Sequence, residues 1–178
     1  TIEHHRLTSG FVNFRDQSVN QRLAAKASCD REFATLDLKD ASDLVSWDLV
    51  RVLWPKNWIR ALSAVRSKTT ELPDKGKTRV PLRKHAPMGS AVCFPVMALT
   101  LWALIKTATS RRNLCWVYGD DIITRCSDAQ DAITILTAVG LKVNEDKSFV
   151  SHATPFRESC GVEYFGGENV TPIYFRYD

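Results

Sequence analysis

Three stretches of the 178-residue chain have hydrophobic patterns that are typical of β-strands. Residues 32–37 alternate, and this run ends in the carboxylate of Asp37. Residues 114–117 and 122–124 are apolar, β-prone runs, and the turn between them contains Gly119, which can adopt the positive φ of a tight primed turn. The pattern therefore predicts one buried strand and one β-hairpin.

Helices are predicted where polar capping residues precede apolar positions at helical spacing. Residues 91–105 are almost entirely apolar, but at about 1.5 Å per residue they span roughly 22 Å, too short for a hydrocarbon core of about 30 Å. We therefore expect a buried core helix there. Four other helices are predicted. They are residues 23–27 after a turn or short helix at 16–22, residues 44–54 opened by Asp40 and Asp43 and stopped by Pro55, residues 58–66, and residues 132–139 between a capping box at 127–130 and Gly140.

Turn residues predict two further hairpins and a short strand at 141–143. One hairpin spans residues 68–86 around a Pro-Asp-Lys-Gly turn at 73–76. The other turns at Gly166-Gly167, with arms at residues 162–165 and 170–175. The resulting order of elements predicts an α+β fold in which a small antiparallel sheet is backed by helices.

Charge and cysteine content narrow the class of protein. The net charge is +4 and the pI is near 8.9, which permits a polyanionic partner without requiring one. Basic residues concentrate at 75–84 and at Arg111-Arg112, although such runs are often only solvated surface. The five cysteines form no Cys-x-x-Cys pair, and this argues against a zinc site and a disulfide framework.

Acidic residues at the predicted strand ends are the candidate chemistry. Asp120 and Asp121 are adjacent at the hairpin tip, where like charges repel, although Asp and Gly are also common turn residues. A divalent cation would relieve the repulsion, and Mg²⁺ selects hard oxygen ligands. If the strands pair, Asp37 joins them, and three such acids can hold two Mg²⁺ about 4 Å apart. The polar loop at 87–90 would offer N–H groups and a hydroxyl to an anionic or hydroxylated ligand.

The order of these features resembles the palm of a viral RNA-dependent RNA polymerase, most closely the replicase catalytic (beta) subunit of single-stranded RNA bacteriophages of the levivirus type. Narnavirus and ourmia-like polymerases come second. Five segments in order carry the resemblance: Leu36-Asp37-Leu38-Lys39-Asp40-Ala41-Ser42-Asp43 (motif A), Met88-Gly89-Ser90 with the following helix (motif B), Val117-Tyr118-Gly119-Asp120-Asp121-Ile122-Ile123 (motif C), residues 140–149 (motif D), and Phe156-Arg157-Glu158-Ser159-Cys160-Gly161 with residues 170–174 (motif E).

The resemblance implies a role for each matching residue. Asp37 and Asp120 would be the principal ligands of two Mg²⁺ ions, for which Mn²⁺ can substitute, and Asp121 would assist them. Asp43 would select ribonucleotides through the 2′-OH, with Ser90 as a partner, while Gly89 would let its loop bend against template and nucleotide.

The resemblance implies three further roles. Lys147 would donate a proton to pyrophosphate, unless it is simply an exposed lysine in a charged turn. Arg157 would contact the primer or product backbone, unless it pairs with Glu158. Tyr118 is a candidate RNA contact because an aromatic side chain can stack on bases.

The same resemblance divides the chain into a partial fingers segment (1–31), the palm with motifs A to D (32–155), and a hairpin leading towards a thumb (156–178). The basic finger motif that grips a triphosphate is not found in residues 1–15, so we expect a piece of a longer protein. The expected partners are RNA template and product, ribonucleoside triphosphates and host translation factors, without a membrane, in the cytoplasm of the host cell.

Three alternatives remain open at this point. A reverse transcriptase-like DNA polymerase would favour a bulky aromatic side chain where Asp43 stands. A non-catalytic RNA-binding module could use Trp116 and Tyr118 for stacking, but it would leave the acids unexplained. A degenerate viral remnant is the third alternative, although each expected acid is present.

Overall fold

The computed structural model describes residues 2–73, 78–109 and 114–173. Its strands are β1 (Val12–Asn13), β2 (Phe33–Leu36), β3 (Leu38–Lys39), β4 (Thr69–Leu72), β5 (Thr78–Pro81), β6 (Cys115–Tyr118), β7 (Asp121–Arg125), β8 (Lys142–Val143), β9 (Phe156–Ser159), β10 (Val162–Phe165) and β11 (Glu168–Asn169). Its α-helices are α1 (Ser18–Asp30), α2 (Ala41–Leu44), α3 (Trp47–Leu53), α4 (Lys56–Val65), α5 (Cys93–Ala108) and α6 (Ala129–Ala138). The predicted mixture of helices and small sheets is confirmed.

A four-stranded sheet in the order β1-β6-β7-β2 forms the centre of the molecule. β6 and β7 pair antiparallel as predicted, and β2 pairs antiparallel with β7, with Leu36 opposite Ile122. β1 pairs parallel with β6, so the sheet is mixed, and the predicted antiparallel pairing holds for β6, β7 and β2 only. A strand of two residues is too short to give an alternating pattern, which explains why the sequence did not indicate it.

Both faces of this sheet are covered. Leu36, Val117 and Ile122 belong to a large core cluster with residues of α5 and α6. Phe33 and Ile123 pack on the other face with Ala27 of α1. Burial on both faces explains why all four residues of β2 are buried, although their sequence alternates.

Helix α5 is the predicted core helix, and it is largely buried against α6 and β6. In the described part of the chain, no helix combines the length and apolar character needed to cross a membrane. Gly140 ends α6 as predicted: its φ is +89°, its N–H donates to Thr137 and that of Leu141 donates to Leu136.

The predicted single helix over residues 44–54 is wrong. The chain forms α2 and α3 instead, because Val45 and Ser46 are extended and Ser46 Oγ caps α3 by accepting from Leu49 N at 3.0 Å. Asp40 does not cap with its side chain, and its backbone is left-handed, with φ 53°.

The capping box predicted at 127–130 is also absent. A 3-10 turn at Cys126–Asp128 runs directly into α6, so Ser127 is already helical and cannot take the extended conformation of a cap.

The two other predicted hairpins are present with different limits. β4 and β5 pair antiparallel, but residues 74–76 of the predicted turn and the following Lys77 lie outside the described residues, as do Arg111 and Arg112. β9, β10 and β11 form a second sheet. Its last strand is Glu168–Asn169 rather than the predicted 170–175, because the turn at Gly166-Gly167 contains only two residues. The end of that predicted arm lies outside the described residues.

Candidate active site

The tip of the β6-β7 hairpin is a two-residue turn that carries the first candidate acid. Tyr118 faces Asp121 across the hairpin, so Gly119 and Asp120 form the turn. Gly119 has a φ of +63°, which confirms the predicted primed turn. Asp120 is therefore presented at the tip, and Asp121 is the first residue of β7.

We expect Gly119→Ala to destabilise the protein by about 1–3 kcal/mol. A Cβ at this position would strain the left-handed backbone and would lie 2.5 Å from the ring of Phe94. That ring already packs edge-on against Tyr118, with centroids 5.1 Å apart. Urea unfolding measures the change, and Gly10→Ala is the matched control, because it has a similar φ of +77° but no atom within 4 Å. Equal destabilisation by both variants would show that the Phe94 contact contributes nothing.

Asp121 is held from the side by the second sheet. Its Oδ1 accepts from Ser159 Oγ at 3.1 Å and from Cys160 N at 2.8 Å. Its backbone carbonyl accepts from Asn20 Nδ2 at 3.2 Å. Residues 38 positions or more away in sequence therefore set the orientation of this carboxylate.

Asp37 directly follows β2 and is held by the loop after β8. Its Oδ2 accepts from Asn144 Nδ2 at 2.8 Å, and its backbone N–H donates to Ser148 Oγ at 3.1 Å. Because Leu36 faces Ile122, the next position along this antiparallel pair brings Asp37 towards Asp121. The structure thus brings the acid at the end of β2 to the hairpin that carries the other two.

The three acids influence one another electrostatically. Burial raises the pKa of Asp120, and the negative charges of Asp121 and Asp37 raise it further. Burial also raises the pKa of Asp121, against the hydrogen bonds from Cys160 and Ser159, and Asp37 adds to the increase. The site therefore concentrates negative charge that a cation would compensate.

The structure gives a cation few protein ligands at this site. Among the residues the structure describes, no three His, Cys, Asp or Glu side chains form a group that could hold a metal ion. Mg²⁺ commonly keeps several waters and binds one or two carboxylates together with substrate phosphates, so it does not require a group of three protein ligands.

Lys147 lies beside this acidic region. Its Nζ is 3.2 Å from Glu158 Oε1, and its side chain is 54% exposed. The hydrogen bond and charge of Glu158 raise the pKa of Lys147, and Asp37 and Asp121 contribute to the increase. The lysine is therefore protonated and near the acids, yet the structure also gives it an ordinary surface ion pair.

A pocket of about 540 Å³ opens next to Asp120. Gly89 and Ser90, both predicted site residues, lie in its wall. The remaining lining residues are Asp40, Ala41, Ser42, Met88, Cys93, Phe94 and Met97. The pocket thus joins the segments that the sequence predicted as motifs A, B and C.

Asp43 does not line this pocket, whereas Asp40 and Ser42 do. The carboxylate of Asp43 forms an ion pair with Lys84 Nζ, and its side chain is 58% exposed. Asp40 and Ser42 were not predicted as pocket residues from the sequence. The available signal was their position between Asp37 and Asp43, but Asp40 was interpreted as a helix cap.

Arg157 is not available to RNA, which corrects its predicted role. The residue has 0% exposure, and its guanidinium donates to the carbonyls of Phe33, Ser151, Thr154 and Phe156. It does not pair with Glu158, which binds Lys147 instead. Arg157 therefore has a structural role between the two sheets.

Tyr118 is partly buried at the end of β6 and contacts Phe94. No contact in the structure bears on its predicted role towards RNA, which stays a prediction.

Comparisons with known proteins identify the family. The family model described as RNA replicase, beta-chain, matches residues 2–178. The chain is 39% identical to the RNA-directed RNA polymerase subunit beta of Qbeta virus (strain MX1), over 93% of this chain and 28% of that protein. It is 34% identical to the RNA-directed RNA polymerase beta chain of Escherichia phage MS2, over 96% of this chain and 31% of that protein. The chain therefore spans about 30% of the length of these relatives.

A solved structure shares the fold at much lower identity. The apo telomerase from Candida tropicalis, truncated from its C-terminal domain, superposes with a TM-score of 0.57 and 13% identity, over 90% of this chain and 41% of that one. This likeness concerns the fold alone. The match over residues 2–178 decides the family: the chain belongs to the RNA replicase beta-chain family.

Proposed function

We propose that these 178 residues form the catalytic palm region of an RNA-directed RNA polymerase that replicates a viral RNA genome. One observation carries the proposal: Asp37, Asp120 and Asp121 lie at adjoining ends of the neighbouring strands β2 and β7 and influence one another electrostatically. Membership of the replicase family supports the same reaction.

The proposed domains follow the chain order. Residues 32–155 would be the palm, residues 1–31 part of the fingers, and residues 156–178 the hairpin leading towards a thumb. The palm assignment is supported by the position of all three acids within 32–155 and by the two helices that back the sheet there.

Asp37, Asp120 and Asp121 would hold two Mg²⁺ ions, with Mn²⁺ as a substitute. When bound, the ions would activate the attacking 3′ oxygen and stabilise the leaving pyrophosphate. Ser159 and Cys160 orient Asp121 through Oδ1, and Asn144 orients Asp37 through Oδ2.

Lys147 would supply a proton from Nζ to the leaving group. Glu158 keeps that nitrogen protonated and restricts its position. The roles of the two residues are thus complementary, since a proton donor must hold its proton until the leaving group develops charge.

The pocket beside Asp120 would receive the ribonucleoside triphosphate. Gly89, with a φ of +92° and open space around its Cα, would let the nucleotide approach the backbone, and the Ser90 hydroxyl would contact the sugar. Asp43 would accept from the 2′-OH that distinguishes RNA precursors from DNA precursors. The protein would bind template and product RNA and host translation factors, and it would act in the cytoplasm of the host cell.

A full-length replicase that carries this segment is expected to incorporate ribonucleotides on an RNA template only in the presence of Mg²⁺ or Mn²⁺. The measurement is labelled-nucleotide incorporation with a metal titration, with ribonucleotides and deoxynucleotides compared side by side. Preference for deoxynucleotides would indicate a reverse transcriptase-like enzyme. RNA binding that is unaffected by metal, without synthesis, would indicate a binding module and contradict the proposal.

A further inference from the structure

Lys84 Nζ forms an ion pair with Oδ1 of Asp43, the residue proposed to recognise the 2′-OH. The proposed function assigns no role to this lysine. We infer that Lys84 is a positioning residue, which holds Asp43 in the orientation that distinguishes a ribonucleotide from a deoxynucleotide. The inference rests on the proposed polymerase function, and it adds the residue that controls the selecting acid.

The backbone around Lys84 is fixed against the segment that follows Asp43. Lys84 forms an antiparallel bridge with Ser46. On either side, His85 N donates to Val45 O at 2.7 Å and Trp47 N donates to Arg83 O at 2.8 Å. The Cα of Lys84 therefore has a set position relative to the end of α2, where Asp43 lies.

Arg66 also binds the backbone of residues 82–85. Its Nη2 donates to Leu82 O at 2.9 Å and to Lys84 O at 3.0 Å, and its Nε donates to His85 O at 3.2 Å. The guanidinium lies 4.7 Å from the ring of Trp47, which stacks on His85 at 5.8 Å. One arginine thus binds three carbonyls of residues 82–85, and this arrangement restricts the backbone on both sides of the Lys84 side chain.

The pair itself is less exposed on the lysine side. The Lys84 side chain is 23% exposed, against 58% for Asp43. A surface pair of two flexible side chains contributes little, but the Lys84 side chain is already partly buried, so it loses less side-chain entropy on pairing. Lys84 contacts Oδ1, and no residue in the described ranges donates to Oδ2, which is left as an acceptor for a hydroxyl.

The pair also lies close to the wall of the pocket. After the effect of burial, Lys84 lowers and Asp43 raises the pKa of the Cys93 thiol, and Cys93 is a lining residue. Asp43 therefore lies near Cys93 in the wall of the pocket, although it does not line the pocket itself. Rotation of Asp43 away from Lys84 would lose this orientation.

The test uses Lys84→Met and Lys84→Arg in a full-length replicase carrying this segment. We expect Lys84→Met to lower the ratio of ribonucleotide to deoxynucleotide kcat/KM by about tenfold, through the KM for ribonucleotides. Lys84→Arg should restore most of the ratio. In an Asp43→Asn background, Lys84→Met should change the ratio no further, because the two residues act as one unit.

Lys56→Met, on exposed Lys56 at the start of α4, is the matched control and should leave the ratio unchanged. An equal loss with both nucleotide classes in Lys84→Met would show a purely structural role and overturn the inference, as would an unchanged ratio. If Lys84→Met does not fold, Lys84→Gln gives the same comparison. A wild-type enzyme without any synthesis would instead overturn the proposed function, and this inference with it.

Discussion

Asp120→Asn in a full-length replicase should reduce nucleotide incorporation by about a thousandfold or more, since loss of metal stabilisation removes several kcal/mol and each 1.4 kcal/mol is tenfold in rate. The same substitution should raise the Tm at neutral pH. Asn keeps the size of the side chain and removes a buried charge that Asp121 and Asp37 oppose. Activity and stability are thus expected to change in opposite directions, as at many functional sites.

The pH dependence of this effect has a definite sign. The pKa of folded Asp120 is raised above its ordinary value of 3.8, so the folded state binds the proton more tightly than the unfolded state. The stabilisation by that proton is complete below 3.8 and is lost as the pH rises through the higher, folded pKa. The Tm difference between variant and wild type should therefore be largest at neutral pH and disappear in acid.

Thermal scans at several pH values, with and without Mg²⁺, measure these expectations alongside incorporation. Mg²⁺ should raise the Tm of the wild type more than that of Asp120→Asn, because a ligand stabilises the state that binds it. Asp48→Asn is the control: its side chain is 88% exposed on α3, so activity and Tm should not change. Wild-type rates in Asp120→Asn, or a lower Tm at neutral pH, would contradict the assignment of this residue.

The acids of the site were predictable because their placement is local. A β-prone run, a Gly-Asp turn and a second run specify a hairpin within a few residues. Asp37 follows its strand in the same local manner. Only the pairing of β2 with β7, which brings Asp37 to the hairpin, required the structure.

The misread parts of the fold depend on distant contacts. The chain between α2 and α3 is extended because Ser46 bridges Lys84, and residues 44–54 contain no signal of that bridge. β1 exists because Val12 aligns with Val117, far along the chain. The hydrogen bonds that orient Asp121 could not be predicted for the same reason, because their donors, Ser159 and Cys160, belong to the segment around the second sheet.

Arg157 shows the limit most clearly, because its charge suggested a surface role. In sequence it stands between Phe156 and Glu158 and looks like an exposed strand residue that could meet RNA. In the structure, β9 places it on the inner face with Ser159, while Glu158 is on the other face beside Lys147. The alternation along β9 places Arg157 and Ser159 on one face and Glu158 on the other. Which face is buried depends on how the strand packs in the tertiary structure.

We accordingly expect Arg157→Met to lower the free energy of unfolding by about 3 kcal/mol, since the buried carbonyl of Phe33 and three partly buried carbonyls would lose their donor. The guanidinium reaches Phe33 O at 2.7 Å, Thr154 O at 2.9 Å and Ser151 O at 3.1 Å. These groups belong to the start of β2 and to the loop before β9. Met replaces the volume of the side chain but none of its five donors.

The variant should also reduce activity without touching substrate, because β9 carries the two groups that orient Asp121. Urea unfolding and incorporation measured on the same preparation separate the two effects. Arg51→Met, an exposed arginine with a long ion pair to Asp48 at 3.5 Å, is the control and should change neither. Normal stability with weaker RNA binding in Arg157→Met would restore the surface role. Loss of stability with unchanged RNA affinity would establish Arg157 as the connection between the two sheets.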